Sequence, residues 1–203
     1  RCAHWLEKER MNSILQGINT FTGTSPSITK TAGLFGKKTE EFGQTLPAVL
    51  VPNGMNFWTP QTRWTEKKCV APYYYKDTEF QGFRNSHWIV GGCTQDYGSF
   101  TLAVGEKDCS LNHEQEYSRP DYYAIVLPDA GVGAEMTATS RAAIFRFTPL
   151  GNREAIDPLL ADRVQSAQNG FRRITLRLVP NSDEKESTIT LDAAHNRLFA
   201  TNP

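Results

Sequence analysis

From Ile18 onward the chain is a succession of short apolar runs broken by Gly, Pro, Asn and Asp. In the clearest run, Ile174, Leu176 and Leu178 alternate with Thr175 and Arg177. Successive side chains on a strand point to opposite faces, so this period of two gives one apolar face and one polar face. A helix would instead need apolar residues three and four apart. Many short strands separated by turn residues close up as a sandwich or barrel. The expected fold is therefore all-β, a large antiparallel β-sandwich (a supersandwich) with minor helix at the N-terminus.

Residues 3 to 16 set Trp5, Met11, Ile14 and Leu15 among charged and polar groups, and Gly17 follows. That pattern predicts a short amphipathic helix ending at a glycine, so residues 1–17 form a helical lead-in and 18–203 the sandwich domain. Residues 157–169 admit two readings. One is a short helix with Asp157 as cap and Pro158 at its first position; the other is a loop with a helical turn. The last segment reads as a strand from Thr188 to Leu191 and the start of a second, a sheet that stops in mid-pattern. The expectation is that the natural chain continues.

Several function classes drop out on charge and hydropathy. Lys plus Arg and Asp plus Glu both number 22, and no basic stripe exists, so no nucleic-acid partner is expected. No apolar run is long enough for a membrane-spanning helix. Residues Arg1 to Arg10 are charged and lack the apolar centre of a secretory leader. A cytoplasmic chain and a mature form whose leader has been removed both fit. Cys2, Cys69, Cys93 and Cys109 are too widely spaced for a zinc site of paired CxxC type. A disulfide among Cys69, Cys93 and Cys109, or free buried thiols, are the alternatives left.

The densest set of reactive and ligand-binding side chains lies in Gly82 to Phe100, GFRNSHWIVGGCTQDYGSF. His87, Trp88, Cys93, Gln95, Asp96 and Tyr97 cluster there around Gly91, Gly92 and Gly98. Glycine lets backbone approach a ligand closely. A pyranose needs a flat apolar surface for one face and forked polar groups for its hydroxyls, and this stretch supplies both. The competing reading is a hairpin loop whose Asp caps a turn and whose Trp is core. A Cys93 nucleophile lacks an identifiable His partner. Hydrolysis of a glycoside needs two carboxyl groups, about 5 Å or about 6.5–9.5 Å apart. The acidic residues are too many, and too evenly spread, to single out a pair.

Four segments in order resemble the N-terminal domain of glycoside hydrolase family 92. They are INTFTGT (Ile18 to Thr24), TLPAVLVPNGMNFWTPQT (Thr45 to Thr62), the Gly82 to Phe100 stretch, and PDYYAIVLPDAGVGAEMTATSRAAIFRF from Pro120. The chain departs from the family pattern at Asn53, where a phenylalanine is usual, and at Ala48 to Val49, where a Gly-Ala step is usual. Ser25 to Lys38 is also longer than the family's loop.

The resemblance implies the N-terminal domain of an exo-acting α-mannosidase for α-1,2 linkages, which inverts anomeric configuration and depends on Ca2+. The domain would pack on a C-terminal (α/α)6 barrel carrying the general acid, the general base and most calcium ligands, so no catalytic residue and no metal ligand is expected here. Carried over by position, Trp88 would border the leaving-sugar subsite, and His87, Cys93, Asp96, Asn53 and Gly54 would shape the substrate pocket. Mannose-containing glycans are the expected partners. The resemblance places the bacterial protein in the periplasm, at the cell surface or in the medium. A free-standing carbohydrate-binding module without catalysis is the alternative, and a purely structural β domain a third. Two physical expectations follow. Trp88 should be at least partly exposed, and an uncovered apolar face should drive a homodimer of the fragment.

Overall fold

The computed structural model describes residues 14–26, 44–54, 57–63, 70–88, 96–98, 100–151, 173–178 and 187–201. In chain order its strands begin with β1 (Phe57–Gln61), β2 (Glu79–Phe80), β3 (Gly82–Ser86), β4 (Phe100–Val104) and β5 (Cys109–Ser110). They continue with β6 (Glu116–Arg119), β7 (Tyr122–Leu127), β8 (Val132–Ala138) and β9 (Ala143–Pro149). The last are β10 (Ile174–Leu178), β11 (Thr188–Asp192) and β12 (Arg197–Thr201). Two antiparallel four-stranded sheets, ordered β1-β3-β4-β10 and β6-β7-β8-β9, make up the sandwich. Helix among the described residues is limited to a turn at 14–16 and isolated 3-10 turns. The all-β expectation holds.

The core follows from the period of two. Trp58, Phe83 and Val104 of the first sheet share one buried cluster with Tyr123, Ile125, Val132, Ala134 and Met136 of the second. Phe83 is its centre. Its ring meets Phe80 at 5.2 Å, Phe145 at 5.4 Å and Tyr123 at 6.0 Å between centroids, mostly edge-to-face or tilted. Such geometries set the positive edge of one ring against the negative face of another.

The other face of the first sheet departs from the simple pattern. Thr59, Gln61, Arg84, Ser86 and Thr101 are polar, yet all five are fully buried. Alternation puts them on one face, and the chain returns to cover it. Thr101 Oγ1 donates to Gln61 Oε1 at 2.6 Å, and Gln61 Nε2 donates to Gln81 Oε1 at 3.1 Å. A buried polar group costs stability unless it is hydrogen-bonded, and this layer meets most of that cost internally, Arg84 Nη1 being left without a partner among the described residues.

On the outer face of the second sheet, Ala124, Val126 and Leu150 form a small cluster under Tyr117 and Tyr122. Glu135 accepts a bidentate pair from Arg146 and a bond from Tyr122 Oη at 2.7 Å. Strand β11 pairs along its length with β12, closing a hairpin. Directly opposed residues share a face, so Ile189, Leu191, Leu198 and Ala200 line one side, and the first three are exposed.

Of the expected N-terminal helix, only the 14–16 turn lies within the described residues; the 157–169 segment lies outside them. Cys109 is a free, buried thiol donating toward the Val104 carbonyl at 3.6 Å, so it takes no part in a disulfide. Burial first, then the nearby Asp129 and Asp108 carboxylates, pushes its pKa up to about 11, leaving it unreactive. Cys2, Cys69 and Cys93 lie outside the described residues.

Candidate functional site

Strand register decides which loops meet. Phe57 at the start of β1 pairs with Ser86 at the end of β3, and Arg84 pairs with Thr101 near the start of β4. The chain therefore leaves at one end of the sheet before β1, after β3 and before β4. A bridge between Val49 and Trp58 ties back the loop leading into β1, so residues 50–54 and 57 lie at that end too. The topology thus gathers Asn53, Gly54, His87, Trp88, Asp96 and Tyr97 along one edge.

Asp96 is the fixed point. Its Oδ2 accepts from Arg84 Nε at 2.6 Å and Ser86 Oγ at 3.0 Å. Its Oδ1 accepts from the His87 and Gly98 amides, each at 2.9 Å. Charge-assisted bonds of this kind are among the stronger ones, and here all but the one from the His87 amide are buried. Four donors occupy the carboxylate, so Asp96 holds the loop rather than reaching for a ligand. Gly98 presses against β3 so closely that a Cβ there would collide with the Asn85 carbonyl oxygen. No other residue fits that position without moving the strand.

Trp88 is only 1% exposed, which corrects the expectation of an accessible ring. It packs in a satellite cluster with Leu46, Ala71 and Tyr73, bordered by Phe21, Ala48, Phe57 and Tyr75. Those apolar neighbours draw the indole under the loop instead of out of it. Its amide donates to Ser86 Oγ at 3.2 Å, while its Nε1 is buried with no hydrogen-bond partner among the described residues. Locally this is the turn-capping Asp and core Trp of the competing sequence reading. His87 is exposed, and Tyr97, not singled out as a binding residue, is 63% exposed.

Asn53 has a left-handed backbone (φ 61°) in a turn closed by the Gly54 amide on the Val51 carbonyl at 2.9 Å. Asn tolerates that conformation better than most residues, which accounts for it where the family has phenylalanine. Asn53 is exposed and Gly54 half-buried. Cys93 lies outside the described residues.

A second polar cluster went unnoticed in the sequence. Glu116 is buried and accepts from Tyr73 Oη at 2.9 Å, Tyr123 Oη at 2.5 Å and His113 Nδ1 at 2.7 Å. The other ring nitrogen of His113 meets the Tyr75 carbonyl oxygen, and the imidazole stacks on the Tyr75 ring at 3.8 Å. With acceptors facing both nitrogens, the doubly protonated ring satisfies both contacts. The bond to Glu116 accordingly raises the His113 pKa, with burial pulling the other way. Burial first, then the Glu116 charge, raises Tyr73 and Tyr123 well above the usual phenol value. The sequence signal was a Tyr-Tyr-Tyr run and a His-x-x-Glu pair, which says nothing until the sheets bring them together.

The calcium implied by the resemblance finds no cluster of three His, Cys, Asp or Glu side chains among the described residues. The carboxylate nearest the loop edge, Asp96, already has its oxygens committed to four donors. No described helix is long and apolar enough to cross a membrane.

The chain matches the model of the glycosyl hydrolase family 92 N-terminal domain over residues 17–189. A solved family GH92 inverting mannosidase from Bacteroides thetaiotaomicron VPI-5482 is 31% identical with a TM-score of 0.51, over 64% of this chain and 17% of that one. A family GH92 α-mannosidase from Bacteroides thetaiotaomicron is 26% identical with a TM-score of 0.53, over 66% of this chain and 18% of that one. The structure of that enzyme with mannoimidazole matches at 27% identity with the same TM-score and coverage. No curated protein sequence matches. The chain spans under a fifth of the length of these solved relatives. With a family match over most of its length and the same sandwich, the chain belongs to glycosyl hydrolase family 92 as its N-terminal domain.

Proposed function

We propose that this domain supplies one wall of the substrate pocket in an exo-α-mannosidase, acting on α-1,2-linked mannosides with inversion and dependence on Ca2+. The general acid, the general base and the calcium ligands would lie on an (α/α)6 domain of the same polypeptide, and the whole protein would work in the periplasm, at the cell surface or in the medium. The observation that carries the reading is the loop edge itself. Two connections of one sheet, the one into β1 and the one from β3 to β4, open at that end, and the four-donor grip on Asp96 fixes the second at His87 and Gly98. Pocket walls need such preorganisation, since a rigid loop orders nothing further when substrate arrives.

Within this reading His87, Asn53, Gly54 and Cys93 shape the wall. Asp96 and Trp88 act from beneath, as clamp and floor. Inversion needs an acid on the leaving oxygen and a base activating water on the opposite face of the sugar. The domain would orient the leaving sugar and exclude stray water while groups outside it move the protons. The test is mannose release from α-1,2-mannobiose, with the product anomer read by NMR. The full-length protein should release β-mannose and stop on chelation, and residues 1–203 alone should release none. An inert full-length protein, or an active isolated chain, would overturn the reading. The same reading expects the bare hairpin face of Ile189, Leu191 and Leu198 to support a homodimer of the isolated chain. A strict monomer in concentrated sedimentation runs would remove that part.

A further inference from the structure

We propose that Tyr97 is the sugar-stacking residue of the loop edge, its phenol ring taking one face of a mannopyranosyl unit beside His87. The inference rests on the pocket-wall reading and names the contact within it. Scattered exposed apolar residues need no explanation, but Tyr97 is set apart by how it is held. The residue before it, Asp96, is buried and takes four hydrogen bonds. The residue after it, Gly98, is buried against the backbone of β3 with no room for a side chain. Between these two fixed points the Tyr97 ring stands 63% exposed.

His87 belongs to the same surface. Its amide and that of Gly98 converge on one oxygen, Asp96 Oδ1, at 2.9 Å each, so the backbones carrying His87 and Tyr97 run side by side. Both side chains reach solvent. Trp88, the aromatic that the sequence favours for stacking, is buried instead. The loop therefore exposes a flat ring with a polar tip and, on the neighbouring backbone run, an imidazole. A pyranose matches this pair, with its C–H face on the ring and its hydroxyls on the phenol and imidazole. A tyrosine also loses few rotamers when it is held in this way, which keeps the entropic cost of binding low.

The probe is thio-linked α-1,2-mannobiose, which resists hydrolysis, titrated into the full-length protein by calorimetry. Tyr97→Ala should weaken binding about tenfold and Tyr97→Phe less than about twofold, both at unchanged melting temperature. Wild-type affinity in Tyr97→Ala overturns the assignment. So does a loss of affinity accompanied by a lower melting temperature, since the ring would then be packing against protein. Absence of binding by the wild type overturns it along with the pocket-wall reading. Tyr97-dependent binding without hydrolysis of the oxygen-linked disaccharide leaves the assignment standing and removes only the mannosidase.

Discussion

Arg84 Nε lies 2.6 Å from Asp96 Oδ2, with both side chains withdrawn from solvent on the polar face of the first sheet. The pair joins a strand interior to the loop that precedes β4. Burying two charges is costly, and here the Asp96 side recovers that cost through Ser86, His87 and Gly98. The guanidinium recovers less, because Arg84 Nη1 is buried without a partner among the described residues. The asymmetry says what the pair is for. It fixes a loop, and an apolar pair would pack the face without doing so.

Removing one member should therefore cost more than removing both. Asp96→Ala strands the Arg84 charge and should destabilise the domain by about 3–5 kcal/mol. Adding Arg84→Met to that variant should restore part of the loss, with a coupling of about 0.5–3 kcal/mol. Urea unfolding of the four corners of this cycle measures it. Additive losses would show that the two side chains do not act together.

Trp88 separates packing from recognition. As a buried side chain in the cluster with Leu46, Ala71 and Tyr73, it should cost about 3–5 kcal/mol when cut to alanine. Thermal unfolding of Trp88→Ala should show a large drop, where Tyr97→Ala shows none. An unchanged melting temperature for Trp88→Ala would mean that the ring's burial contributes nothing.

The fold was legible because alternation is local. Ile174, Leu176 and Leu178 announce their strand without reference to anything else, and Phe83 stands in register for the core. What covers the polar face of a strand is a non-local fact. Nothing in Gly-Phe-Arg-Asn-Ser tells that Arg84 and Ser86 will be roofed by a carboxylate at least ten residues on. Family motifs direct attention to this loop, but the motif weights Trp88 and Asp96 equally with His87. Only the packing shows that two of these point inward and that Tyr97 points out. His113 and Glu116 were equally silent, since their partners Tyr73, Tyr75 and Tyr123 come from other segments.

That last cluster gives the pH dependence. The bond to Glu116 raises the folded pKa of His113 above its ordinary value of about 6.5. A raised folded value means that the folded state holds the proton more tightly than the unfolded chain. The stabilisation is then complete below the ordinary value and is lost as pH climbs through the raised one. Tyr73 and Tyr123 are raised too, but their contribution persists until about pH 10, where unfolded tyrosine begins to ionise. Cys109, raised by burial, keeps its contribution until unfolded cysteine begins to ionise at about pH 8.5, so from the ordinary histidine value up to there the fall in stability should belong to His113. Tyr75, stacked on the ring, and Asp77, near Tyr73, complete the titratable surroundings. Melting temperature should therefore decline from mildly acidic to mildly alkaline pH, and His113→Asn should flatten that decline. Proton NMR should place His113 above free histidine, and Glu116→Gln should bring it back down. A His113 titration at the ordinary value in the wild-type chain would show that Glu116 does not hold the imidazolium.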